Sequence, residues 1–186
     1  MAIELYLVRH GETEENAANI LQGNLPGHLN DKGRAQAQET AQALLDIHFD
    51  RIYCSDLKRC VDTADIINSH LQRPIAYSAL LRERDWGPLT GQKIKCAIAM
   101  IDEQAESVES MFSRARKFLE DIVAQHENET LLIISHGLFC RVLQGACIGK
   151  TIREIPRMDN AEVRHVTLTA PYTFNQENEE TGVTAN

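Results

Sequence analysis

Short apolar runs alternate with helically spaced stretches along the whole of this 186-residue chain, and that alternation limits the fold more than any single residue does. Ile3–Val8 is short and apolar and closes on Arg9-His10-Gly11, the pattern of a buried strand running into a loop. Residues 12–30 are polar and punctuated by Gly23, Pro26 and Gly27, so they form a long loop with room for one helical turn. Asn30 or Asp31 then suits an N-cap, followed by Ala35, Ala37, Ala41, Leu44 and Leu45 on one helix face.

Arg51–Cys54 reads as a second strand, and Ser55 or Asp56 as the cap of a helix that turns Leu57, Val61, Ala64 and Ile67 inward. Pro74–Tyr77 is a short third strand. Between residues 82 and 106, Trp86-Gly87-Pro88 is loop and Lys93–Ile101 helical. Val108–Ala124 has helical spacing at Met111, Ala115, Phe118, Leu119 and Ile122. Thr130–Ser135 is the clearest strand, Gly137–Cys147 the helix after it, and Glu162–Thr169 a last strand. Strand and helix in turn predict a three-layer α/β/α sandwich with a mainly parallel central sheet. One domain spans residues 1–174, and residues 175–186 are a polar, acidic tail.

Composition excludes several function classes. Hydrophobic residues at 43% and charged residues at 25% match an ordinary globular protein rather than a disordered one. The net charge of −8 disfavours a nucleic-acid surface, which needs a basic footprint. The longest apolar runs, such as Leu131–Ile134, fall far below the roughly 20 residues of a membrane span. Five cysteines in no metal-type spacing read as reduced thiols, so the expected compartment is the cytoplasm.

In open α/β sheets ligands bind beyond the C-terminal strand ends. Arg9 and His10 follow the first strand, and His136 follows the Thr130–Ser135 strand. Arg59 lies one turn into the helix after Arg51–Cys54, and Glu83 in the loop after the third strand. Two histidines, two arginines and a carboxylate on one sheet edge suit phosphoryl transfer from a small phosphate ester. Guanidinium forks fit phosphate oxygens, and a neutral imidazole can attack phosphorus. A carboxyl group that holds a proton can give it to the leaving alkoxide. Neither metal nor cofactor is required if these cations neutralise the developing charge. Gly11 and Gly137 would let backbone amides approach the phosphate. His28, His48, His70, His126 and His165 have no such placement and read as surface or structural residues.

Arg9-His10-Gly11-Glu12-Thr13-Glu14-Glu15-Asn16 resembles the signature of the histidine phosphatase superfamily, in its phosphoglycerate-mutase-like branch. The resemblance continues in order through Gln22-Gly23, the Leu29–Ala37 block, Ser55–Ala64 and Leu81-Arg82-Glu83. It ends with Trp86-Gly87, Thr90-Gly91, Ser135-His136-Gly137 and Arg141. It implies that His10 becomes phosphorylated, that Glu83 is general acid and base, and that Arg9, Arg59 and His136 form the phosphate pocket. It further implies phosphate or substrate contacts from Asn16, Gln22 and Gly23, and a backbone donor at Gly137. Leu138 stands where the family often has a second glycine, and Pro26 and His28 replace an Asp and a Pro of the substrate loop. Only about 45 residues separate Gly91 from His136, and the basic insertion of the glycolytic mutases is absent from that stretch. A metal-independent phosphomonoesterase acting on a small metabolite is therefore expected. A phosphoglycerate mutase and a non-catalytic phosphate-binding regulator are the alternatives.

Overall fold

The apolar run Leu131–Ile134 divides its side chains between two separate cores. Leu131 and Ile133 face one, Leu132 and Ile134 the other, and all four are fully buried. Such two-sided burial marks a central strand of a largely parallel sheet. The computed structural model describes residues 2–174; the acidic tail expected at 175–186 lies outside the described residues.

Along the chain, strand β1 (Ala2–Arg9) leads into the single-turn helix α1 (Glu14–Ala17) and then α2 (Asp31–Ala43). Next come β2 (Arg51–Ser55), α3 (Lys58–Leu71) and β3 (Ile75–Ser78). Two short helices, α4 (Ile94–Ala97) and α5 (Ile101–Gln104), precede the long α6 (Val108–Gln125). The order closes with β4 (Thr130–Ser135), α7 (Gly137–Ile148) and β5 (Val163–Thr169). The sheet runs β3-β2-β4-β1-β5, with β5 alone antiparallel. Helices α6 and α7 cover one face against Ile3, Leu5, Leu7 and Val166. Helices α2 and α3 cover the other against Val8, Ile52 and Cys54. The expected three-layer sandwich is the fold of the described chain.

Register sets the functional edge. Arg9 pairs with Ser135, and Cys54 with Ile134. The residues that follow, His10 and His136, therefore emerge at one level, with Ser55 one step behind them beside Ser135.

Local departures from the sequence expectation have local causes. Ala35 and Leu45 are exposed, because the buried stripe of α2 runs through Gly33, Ala37, Thr40, Ala41 and Leu44. Helix α3 is capped by neither Ser55 nor Asp56; its N-cap is Leu57, with no side-chain hydrogen bond. Arg59 is thus the second helical residue, nearer the strand end than one turn. Lys93–Ile101 is not a single helix but α4 and the start of α5 joined by a 3-10 turn. Of its apolar residues only Ala97, Met100 and Ile101 join a small core with Leu21, Trp86 and Leu89, while Ile94 and Ile98 stay exposed.

Gly11 and Gly33 pack backbone to backbone. A Cβ on Gly33 would lie 2.0 Å from the Glu12 carbonyl oxygen, and one on Gly11 would lie 2.4 Å from that of Gly33. Gly33→Ala should therefore destabilise the protein by about 1–3 kcal/mol through overpacking. An exposed helical Gly→Ala change has the opposite sign, a gain of about 1 kcal/mol. Urea unfolding of the two proteins checks the sign.

Candidate active site

His10 leaves β1 with its ring fixed at both nitrogens. Nδ1 lies 2.7 Å from the Gly11 carbonyl, which can only accept, so Nδ1 carries the proton. Nε2 then presents a lone pair, and it accepts from Arg59 Nε at 3.3 Å. Both partners select the same neutral tautomer. Burial holds the His10 pKa well below the ordinary histidine value, and repulsion from Arg59 and Arg9 adds to the effect.

His136, the N-cap of α7, meets His10 edge-on with ring centroids 5.3 Å apart. Its Nε2 lies 2.9 Å from Ser55 Oγ and 3.4 Å from Cys60 Sγ. It too is fully buried, and burial, then Arg59, His10 and Arg9, push its pKa far down. Two uncharged imidazoles thus sit among two permanent cations.

Arg59, only 1% exposed, spends its remaining donors on loop carbonyls. Nη2 donates to Gly23 at 2.7 Å, and Nη1 to Pro26 at 3.3 Å and to Leu25. Arg9 donates Nη1 to the Met158 carbonyl at 2.6 Å, while its Nε is buried without a partner among the described residues. Neither guanidinium forms an ion pair with a described carboxylate. Gly137 makes room for Arg9, since a Cβ there would stand 2.9 Å from Arg9 Nε.

Glu83 approaches from the loop after a 3-10 turn at Ala79–Leu81. Its carboxyl oxygens accept from the Phe139 and Leu138 amides, each at 3.2 Å, and from the Arg84 amide at 3.0 Å. A distant carboxyl thereby serves the open amides of α7, whose N-cap His136 makes no side-chain cap. Ser135 Oγ donates to the Leu81 carbonyl at 2.7 Å and ties this loop to β4.

The contact residues are less uniform. Asn16 closes a capping box with Thr13 and accepts from Asn160 Nδ2 at 3.1 Å. Gln22 is buried with Oε1 unpartnered among the described residues, and Gly23 meets Arg59 through its carbonyl. Gly11 does not offer its amide to the site, because that amide donates to Thr63 Oγ1 at 3.1 Å. Arg141 turns away to the Ile152 and Ile155 carbonyls.

Sequence reasoning missed Ser55 and Cys60 beside His136, and Asn160, whose amide also donates to the His10 carbonyl at 3.2 Å. Only Ser55 carried a signal, since it ends β2 at the register of Ser135. Burial, above all, raises the Cys60 thiol pKa, and that of Cys140 rises to about 12. Both are inert thiols at neutral pH.

A cavity of about 440 Å³ opens beside Glu83, lined among others by Asn24, Arg82, Asp85, Glu106 and Arg114. Among the described residues no group of three or more His, Cys, Asp or Glu side chains could hold a metal ion. No described helix is long and apolar enough to cross a membrane.

The carboxyl edge of the sheet thus gathers the buried Arg59, the half-buried Arg9 and two buried, uncharged histidines. The chain belongs to the histidine phosphatase superfamily, branch 1, whose family model matches residues 5–175. It is similar to a broad-specificity phosphatase of Saccharomyces cerevisiae, 33% identical over 157 residues, covering 76% of this chain and 68% of that protein. It is also similar to an Erwinia tasmaniensis protein named probable phosphoglycerate mutase GpmB, 33% identical and covering 79% and 75%. The solved structure of Bacillus stearothermophilus YhfR superposes with a TM-score of 0.83 at 27% identity, covering 95% of this chain and 96% of that one. Family and relatives together make this chain an enzyme of the phosphatase type.

The two depressed imidazoles set a pH limit on stability. A histidine whose pKa falls on folding takes up its proton more readily when unfolded, so it favours unfolding once the pH drops below about 6.5. Each such group contributes a slope of up to about 1.4 kcal/mol per pH unit. In phosphate-free buffer, unfolding free energy should start to fall below about pH 6.5 rather than only in the carboxylate range. Removing one imidazole by His10→Ala should roughly halve that slope.

Proposed function

We propose that the protein is a metal-independent phosphomonoesterase that works through phosphorylated His10 on a small phosphorylated metabolite. The observation that carries this is the fixed tautomer of His10, with Nδ1–H on the Gly11 carbonyl and Nε2 unprotonated beside Arg59. An ester phosphate takes the place of the Gly23, Leu25 and Pro26 carbonyls at Arg59, and Arg9 and His136 hold its other oxygens. Nε2 attacks phosphorus, the N–P bond forms, and the P–O bond to the leaving group breaks. Glu83 gives its proton to the departing oxygen. Water then attacks the phosphohistidine, Glu83 takes a proton from it, the N–P bond breaks, and inorganic phosphate leaves. Arginine charge and buried dipoles carry the charge that develops.

The cavity beside Glu83 supports a small polar leaving group. Its two arginines are already paired, Arg82 with Asp56 at 2.6 Å and Arg114 with Glu106 at 2.8 Å, and Asp85 adds a carboxylate to the lining, which favours hydroxylated groups over a further anion. The segment 82–106 borders that cavity and, with residues 12–30, selects the substrate. Five free cysteines support a reducing compartment, the cytoplasm.

The name of the Erwinia relative favours a second activity, return of the phosphoryl group to another hydroxyl. Release of inorganic phosphate from a panel of monoesters separates the two. Wild type should release phosphate, and His10→Ala should lose at least about a thousandfold in rate. Rapid quenching should trap an acid-labile, base-stable phosphoprotein in wild type only. Full activity of His10→Ala would refute the intermediate, and transfer between phosphoglycerates without phosphate release would identify a mutase.

A further inference from the structure

We propose that Arg114, locked by Glu106, is the positioning residue that holds Glu83 ready for proton transfer. The inference rests on the acid–base role given to Glu83 above. Glu83 belongs to no helix or strand, so its aim depends on what holds the Leu80–Asp85 backbone. Arg114, from α6, commits all five of its N–H donors, three to that backbone and two to the Glu106 carboxylate. Nη1 donates to the Leu80 carbonyl at 2.8 Å and to the Arg82 carbonyl at 3.1 Å. Nη2 donates to the carbonyl of Glu83 itself at 3.4 Å and to Glu106 Oε2 at 2.9 Å, and Nε to Glu106 Oε1 at 2.8 Å.

The same guanidinium lies 4.4 Å from the centre of the Phe139 ring. Phe139 is also the residue whose amide grips Glu83 Oε1. One side chain therefore fixes both the backbone behind the carboxyl group and the helix start in front of it. Glu106 adds the link to the substrate-side segment. Its carboxyl accepts from the Asp85 amide at 3.2 Å and Ser110 Oγ at 2.9 Å, and its own amide donates to the Asp85 carbonyl at 2.7 Å. Residues 85 and 106 are thus clasped at the base of that segment, on the anchor that holds the acid. A lysine ammonium, with its donors at one point, cannot span these acceptors.

A series of aryl phosphates of one ring size, differing in leaving-group acidity, tests this. The ratio kcat/KM reports the step that breaks the ester bond, where Glu83 gives its proton. An acidic dinitrophenol leaves without help, whereas a weakly acidic phenol needs the proton. Glu83→Gln, Arg114→Lys and Glu106→Gln should all steepen the dependence on leaving-group pKa. For the least acidic phenol the loss should be at least about tenfold, with dinitrophenyl phosphate kept within about threefold. Arg114→Lys keeps the charge and the stem, and thermal unfolding verifies that it folds. An equal loss across the series in the Arg114 and Glu106 variants, with the slope unchanged, would reduce the pair to a structural or substrate contact and overturn the proposal. If Glu83→Gln itself leaves the slope unchanged, the acid role of Glu83 falls and the proposal with it. If only Glu83→Gln steepens the slope, the proposal alone falls.

Discussion

Like charge gathered out of water governs this molecule. Arg9 and Arg59 are held beside two buried histidines without a partnering carboxylate among the described residues. Such a group is tolerable only if every guanidinium finds acceptors and both imidazoles stay neutral. Main-chain carbonyls of Gly23, Leu25 and Pro26 meet the first condition for Arg59, and that of Met158 meets it in part for Arg9, whose Nε stays unpartnered among the described residues. Burial meets the second, driving both imidazoles toward the unprotonated form. Carbonyl dipoles are weaker partners for a cation than a dianion. A dianion that reached Arg59 would therefore displace these carbonyls.

Everything else in the fold delivers those groups to one place. The register of β1 on β4 sets Arg9 against Ser135, and the next residue on each strand is a histidine. A shift of one residue would send both imidazoles into opposite layers. Gly11 and Gly33 bring the start of α2 against the loop behind His10 at a distance no side chain would allow. Close packing directly behind His10 thus supports positions within the site.

What the sequence made legible follows the same logic. Arg9, His10, Arg59 and His136 could be located because each sits within a few residues of a strand end, and strands announce themselves by buried apolar runs. Glu83 could be placed on the correct edge, but its grip on the amides of α7 could not. That grip joins positions 83 and 139 across the sheet through a loop without periodicity. Asn160 was invisible for a related reason, because it reaches His10 from a segment with no repeating pattern. Gly11 was misjudged, since a glycine after a strand suits an amide aimed at phosphate as well as a backbone packed on another backbone. The cap of α3 was misplaced because Ser55 is engaged by His136 and Asp56 by Arg82, leaving Leu57 as N-cap.

Strand β4 has a neighbour on each edge and a core on each face, so the amides of Leu132, Ile133 and Ile134 meet solvent only when both layers come apart. Their hydrogen exchange with deuterated water should therefore track the opening of the whole domain. His136 is fastened directly to that slowest-opening segment. The 22–27 and 85–106 segments contribute no strand to the sheet, so their amides should exchange ahead of those of β4. The reacting centre and the border of the cavity would thus lie at different points on a gradient of local unfolding free energy.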